Sequence, residues 1–227
     1  MNAHDVHKRV RDLEQALKRN ASELATAAPG GMPEISVEAY RIVGEACQLW
    51  FEHHRGTTGP HLRDIWDRAL GQWRAALSEC YPDGFDEGLK ALRNGDTDGA
   101  EPVIALLEAD PWFAGSGYAK EDAIRCLKRV KLSHEQAERL RSVVLRVVHD
   151  PGFRQEFAKY GVLAKSVDTP DLRKSLKAMT EMPDDAVRRR AQWVLDALDG
   201  IDPRRRHRAW YKSETDRMME EWRTRHP

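Results

Sequence analysis

The chain of 227 residues carries 37 basic and 37 acidic side chains, so its formal net charge is zero. Charged residues make up 33% and hydrophobic residues 41%, a profile that suits a helical protein with much surface per residue better than a compact β domain. No apolar run approaches the ~18 residues of a membrane-crossing helix, and the polar start from Met1 to Val10 lacks the apolar stretch of a secretion signal. Cys47, Cys80 and Cys126 stand too far apart for a disulfide scaffold or a Cys-x-x-Cys motif. A reducing, cytoplasmic setting without membrane association is the expectation.

Zero net charge conceals an uneven distribution. Residues 83–119 hold two basic and eight acidic groups, whereas residues 120–182 hold 14 and nine. A bipolar chain of this kind attracts partners of either sign locally, unless the charges simply solvate mixed helix faces.

Hairpin turns and sustained alternation of β-branched residues are nearly absent, and helix signals recur throughout. The first predicted helix spans 5–27, with Val6, Val10, Leu13, Leu17, Asn20 and Leu24 spaced 4, 3, 4, 3, 4. That is a heptad seam with one Asn in its core row. Fewer than three heptads is marginal for a free coiled coil, so packing within the chain and a monomer are expected. Pro29-Gly30-Gly31 ends the helix. A second helix is predicted over 36–55, carrying Tyr40, Val43, Cys47 and Trp50. A third presents Leu62, Ile65, Trp66, Ala69, Leu70, Trp73, Leu77 and Cys80, and stops at Tyr81-Pro82-Asp83-Gly84.

From there helix-start signals arrive regularly. Asp98, Ser116, Ser133 (with Gln136, a capping box), Asp150, Thr169, Asp184 and Asp202 follow one another at intervals of 18, 17, 17, 19, 15 and 18 residues. Two helices thus occupy about 34 residues, the period of helical-hairpin arrays. Alternate helices repeat in phase. Phe85, Ala119, Phe153 and Val187 are 34 apart; Leu89, Ala123, Phe157 and Ala191 follow four residues on, and Leu92, Cys126, Tyr160 and Val194 seven on. The residue after the first row is Asp86, Lys120, Arg154 or Arg188, so the last three copies share a basic group.

Leu176-x-x-Met179 followed by Asp184-Asp185-Ala186-Val187-Arg188-x-x-Ala191-x-x-Val194-Leu195-x-x-Leu198 resembles a HEAT repeat. Val144-x-x-Val147-Val148-x-Asp150-Pro151-Gly152-Phe153-Arg154 is similar more loosely, and the resemblance covers about 82–200. It implies an all-α fold: a helical-hairpin, HEAT-like array over 82–227, continuous with an N-terminal three-helix region over 1–81. Arrays of this class present extended surfaces to partners.

Motifs for chemistry are few. His53, His54, His61 and Asp64 cluster around a loop, but adjacent helical positions point about 100° apart, and they read as surface histidines rather than metal ligands. The cysteines lie on apolar faces. No nucleophile elbow or phosphate-cradling glycine loop occurs, and Gly115-Ser116-Gly117 is explained by capping. No catalytic residue, cofactor or metal is expected. Two stretches remain as candidate binding groups. Trp112, Phe113 and Tyr118 crowd a connection, either as a recognition loop or as a plug between repeats. Arg188, Arg189, Arg190 and Trp193 are followed by Arg204, Arg205, Arg206, Arg208, Trp210 and Tyr211, a combination that suits phosphate contact and base stacking, or salt-bridged repeat edges.

The expected function is a non-catalytic module that binds a protein partner, with DNA or RNA contact at the arginine-rich end as an extension. Two alternatives stand beside it. One is a HEAT-like DNA glycosylase acting on alkylated DNA, with Trp193 and Asp196 or Trp112 and Asp110 in the site. The other is a nucleic-acid-binding subunit of a larger bacterial-type complex. The neutral charge balance and the acidic 83–119 segment disfavour the glycosylase.

Overall fold

The heptad seam of the first helix finds its partners within the chain. Helix α1 (Ala3–Thr26) buries Val6, Val10, Leu13, Ala16 and Leu17 against Ile42, Ala46 and Leu49 of α2 (Met32–His53) and Leu62, Ile65 and Ala69 of α3 (Gly59–Ser78). Asn20 is buried in the same row, and its amide donates to Gln72 Oε1 at 2.8 Å, while Gln72 donates to the Leu17 carbonyl at 3.0 Å. The Asn20 donor is thereby satisfied while its Oδ1 has no partner, and the pair ties α1 to α3 in register. The computed structural model describes residues 3–27, 32–53, 58–111, 113, 115–150, 154 and 156–225. Among them are twelve helices and no strand.

The core face of α2 differs from the expected one. Ile35, Ala39, Ile42, Ala46 and Leu49 point inward, whereas Tyr40 is exposed and Val43, Cys47 and Trp50 flank the core. The small Ala39 and Ala46 let the helices approach closely, and the larger side chains fill the margins, where Trp50 and Trp66 meet. These helices and Pro111–Ser116 form one of two units.

The second unit comprises Asp83–Asp110 and Gly117–Pro227. Its elements are α4 (Phe85–Arg93), a 3₁₀ turn (Thr97–Gly99), α5 (Ala100–Ala109), α6 (Ser116–Leu127), α7 (His134–His149), α8 (Phe157–Ser166), α9 (Pro170–Met179), α10 (Asp185–Leu198), α11 (Pro203–Arg206) and α12 (Arg208–Arg225). Helix α7 packs on both α5 and α9. Arg93 of α4 meets Asp122 of α6 at 2.6 Å, Lys159 of α8 meets Glu121 of α6 at 3.1 Å, and α8 packs on α10. Leu89, Ala123, Phe157, Ala191, Leu92, Cys126, Tyr160 and Val194 are all buried, so the two in-phase apolar rows face the core. In the first row Phe85 and Val187 are buried and Ala119 half-buried; Phe153 lies outside the described residues.

Several start signals act as expected. Ser133 and Gln136 form the reciprocal capping box, Thr169 accepts from the Leu172 amide, Asp184 from Ala186 and Val187, and Asp202 from Arg204. One does not: Asp96, not Asp98, accepts the amide that opens the 3₁₀ turn. Asp150 follows the last residue of α7 and pairs with Arg154, and the amides directly after it lie outside the described residues. At the α4 junction, a Cβ on Gly99 would lie 2.3 Å from the Gly88 carbonyl, so backbone contact there requires glycine.

Phe157 lies within this core at 1% exposure, with its ring 6.0 Å from that of Trp193. Phe157→Ala should cost about 3–5 kcal/mol in urea unfolding, and a loss below ~1 kcal/mol would show that the two rows do not form a packed core.

Candidate functional site

The second unit holds two polar centres inside its apolar frame. The first forms where connections between helices meet. Asp110 ends α5 in the left-handed conformation, with φ of 50°. The Lys120 ammonium reaches Asp110 Oδ1 at 2.7 Å and Glu156 at 3.7 Å, and Arg154 pairs with both Asp110 and Asp150. Lys120 is almost fully buried. Burial works against the Arg154 charge, but Asp150 and Asp110 more than offset it and hold its pKa above the ordinary value. Tyr160 is buried beside this network, and desolvation, reinforced by Glu156 and Asp110, raises its phenol well above the usual range.

The second centre surrounds Trp193, which is fully buried on α10. His207 and Tyr211 stack on the indole at 5.7 and 5.1 Å, and Trp210 meets it edge-on at 5.9 Å. Asp196, three residues on, is likewise buried, and it takes Arg206 at 2.8 Å, His207 Nε2 at 2.7 Å and the Gln192 amide at 2.8 Å. These contacts dock α11 and the start of α12 onto α10.

The expected arginine surface therefore divides. Arg188 donates to the Met182 and Pro183 carbonyls and pairs with Asp185, which also takes Arg189. Arg190 is buried, and Arg206 is committed to Asp196. Arg190 and Trp193 consequently present nothing to a partner at the surface. Arg204, Arg205 and Arg208 are exposed and make no ion pair or hydrogen bond with their side chains among the described residues. Half-buried Trp210 and Tyr211 lie next to them in sequence.

The aromatic connection divides as well. Phe113 is buried, its ring meeting Tyr81 edge-on at 5.2 Å, so it does not belong to an exposed recognition loop. Tyr118 is 76% exposed, and Trp112 lies outside the described residues. Among the described residues no group of three His, Cys, Asp or Glu side chains could hold a metal, and no helix is long and apolar enough to cross a membrane. His61 sits 3.2 Å from Glu14, and His54 lies outside the described residues. Burial pushes the Cys80 thiol up to about 11, the opposite of what a nucleophile needs.

Sequence inspection passed over the Asp110–Lys120–Arg154–Glu156 network, although a signal was present. Lys120 and Arg154 are the basic residues recurring after the first apolar row. The third, Arg188, does not join them and instead bonds the turn before α10. Comparisons of the chain with protein-family models, curated proteins and solved structures find no match.

Two outcomes follow for the buried network. Lys120→Met leaves Glu156 without its cation in a buried setting and should destabilise the protein by ~3–5 kcal/mol, measured by urea unfolding at neutral pH. A phenol with a raised folded pKa contributes stability that is complete below its unfolded value of about 10 and is lost as pH rises through the folded value. Tyr160→Phe should therefore behave like wild type up to about pH 9 and lose less stability than wild type between about pH 10 and 12. Parallel alkaline curves for the two proteins would refute the buried-phenol assignment.

Proposed function

We propose that the protein is a non-catalytic interaction module, built as a HEAT-like helical array and engaging a protein partner through its C-terminal arginine edge. The observation that carries this proposal is the sorting of the arginines. Arg188, Arg189 and Arg206 are consumed by internal bonds, whereas Arg204, Arg205 and Arg208 are exposed and without partners among the described residues. Unpaired guanidinium groups beside half-buried aromatic rings are the composition of a binding hot spot.

The 34-residue phasing of buried rows and the side-by-side packing of alternate helices support the repeat architecture. Charge order supports a protein as the partner. Residues 204–212 contain five basic and no acidic groups, but residues 213–225 mix Glu214, Asp216, Glu220 and Glu221 with Arg217, Arg223 and Arg225. A uniform polyanion would meet repulsion from those carboxylates, while a protein face of mixed charge could match both stretches. The glycosylase alternative needs a carboxylate ready to act. Asp196 is occupied by Arg206, His207 and Gln192, and Asp110 by Lys120 and Arg154.

Replacing Arg204, Arg205 and Arg208 with Glu should leave the helical circular-dichroism signal unchanged and abolish capture of the partner that wild-type protein retains from its native host. Anisotropy titrations with duplex and single-stranded DNA and with RNA test the nucleic-acid extension. Phosphate contact would give affinity falling with salt at a log–log slope of about −0.9 per duplex phosphate, and loss of that binding in the triple variant. Unchanged partner capture by the triple variant would overturn the arginine-edge proposal.

A further inference from the structure

Helix α2 presents a second stripe away from its core face, formed by Tyr40, Gly44, Cys47 and Phe51. At about 100° per residue the four fall within an arc of about 60°. Tyr40 is 48% exposed and Phe51 67%, and these ends of the stripe lie about 16 Å apart along the axis. Their rings are braced from the side: Tyr40 tilts on Trp73 at 5.5 Å, and Phe51 meets Trp50 edge-on at 5.1 Å. Apolar rings fixed at a surface are the composition of a contact face.

Between the rings the stripe is small. Gly44 is exposed in mid-helix, where glycine weakens a helix relative to alanine. A Cβ there would meet nothing within 4 Å, so no packing inside the chain requires the glycine. What it permits is close approach by a backbone from outside. Cys47 is half-buried and nearly as small. The order is therefore large, small, small, large, with spacings of 4, 3 and 4 that read alike in both directions. Two crossing helices are nearest at the crossing point and diverge on either side, so small residues belong at the centre and rings at the ends.

We propose that a second copy of this chain covers the stripe, through an antiparallel α2–α2 crossing about a two-fold axis between positions 45 and 46. In that register Tyr40 faces Phe51 of the second copy and Gly44 faces its Cys47, and symmetry makes each contact twice. Arg41 and Glu52 share one flank of the stripe, and the same register brings each toward its opposite charge in the other copy. Arg41 keeps its bonds to Glu38 and Glu45, whereas Glu52 meets Gln48 at 3.2 Å and His53 at 3.7 Å and has no Lys or Arg partner among the described residues. The heptad seam of α1 is buried within the chain, so the monomer it implies leaves the α2 stripe open. The dimer is independent of Arg204, Arg205 and Arg208.

Sedimentation equilibrium of the full chain over a concentration series at constant salt tests this. Wild type should pass from monomer to dimer as concentration rises. Gly44→Leu fills the crossing point but meets open space inside the chain. At dilutions where both proteins are monomeric it should unfold at a midpoint no lower than that of wild type, and its dimer should be at least ~10-fold weaker. Mixing tests the register. Tyr40→Glu and Phe51→Lys should each weaken the dimer, and an equimolar mixture should recover it, because only the mixed dimer joins the two introduced charges and keeps one native Tyr40–Phe51 contact. The variant with Arg204, Arg205 and Arg208 replaced by Glu should dimerise like wild type, which separates this face from the arginine edge. A wild type that stays monomeric up to its solubility limit, a dimer that survives Gly44→Leu, or a mixture no stronger than its components would overturn the proposal.

Discussion

Asp110 forms an ion pair with the Lys120 ammonium, 2.7 Å from one oxygen, and with the Arg154 guanidinium through the other, with all three side chains largely withdrawn from water. These residues come from the end of α5, the first turns of α6 and the connection between α7 and α8. Helices that pack through narrow apolar stripes, as α8 and α10 do through Phe157, Gly161, Trp193 and Ala197, need their ends held in register. A fixed carboxylate between two cations does that. Desolvated charges favour one geometry strongly, because any rearrangement leaves a buried ion unpaired. The left-handed backbone at Asp110 aims its carboxylate at both cations, so strain at one residue is tied to the placement of three connections.

Arginine serves several separate ends in the second unit. Arg139 binds Glu101 and Glu108 at 2.6 Å and, with Arg146 donating to the Leu107 and Glu108 carbonyls, fastens α7 to α5. Arg173 performs the same task between α9 and the end of α10. Arg188 and Arg189 secure the entry to α10. Arg206, with His207, anchors α11 through buried Asp196. Arg204, Arg205 and Arg208 remain unpaired at the surface, and Arg190 remains unpaired inside. A planar fork with several donors can close turns and bridge helices alike, so counting arginines says little until each fork is traced to its acceptors.

The buried helix faces were legible in the residues themselves. Val6, Val10, Leu13 and Leu17 mark the buried stripe of α1, and rows such as Leu92, Cys126, Tyr160 and Val194 mark the buried faces of alternate helices. Ser133, Thr169, Asp184 and Asp202 cap helices where their spacing indicated. In α2 the pattern misled, because Tyr40 and Trp50 outweigh Ala39 and Ala46 in hydrophobic size yet sit beside, not within, the contact. Asp98 misled for a different reason: the turn before α5 is opened by Asp96, which accepts the Asp98 amide.

Capping and helical phase depend on residues three to seven apart, so the sequence by itself determined the helix-rich character of the chain, most of its boundaries and the buried stripe of α1. The fate of each charged side chain depends on partners far along the chain: Arg190 meets a carbonyl 42 residues away, and Arg139 a carboxylate 31 residues away. Only the tertiary structure decided that Trp193 and Phe113 are interior, that Lys120 and Arg154 share one carboxylate, and that Arg204, Arg205 and Arg208 stay free. The physical reason is that a charge is stabilised by whatever desolvates and faces it, and local sequence specifies neither.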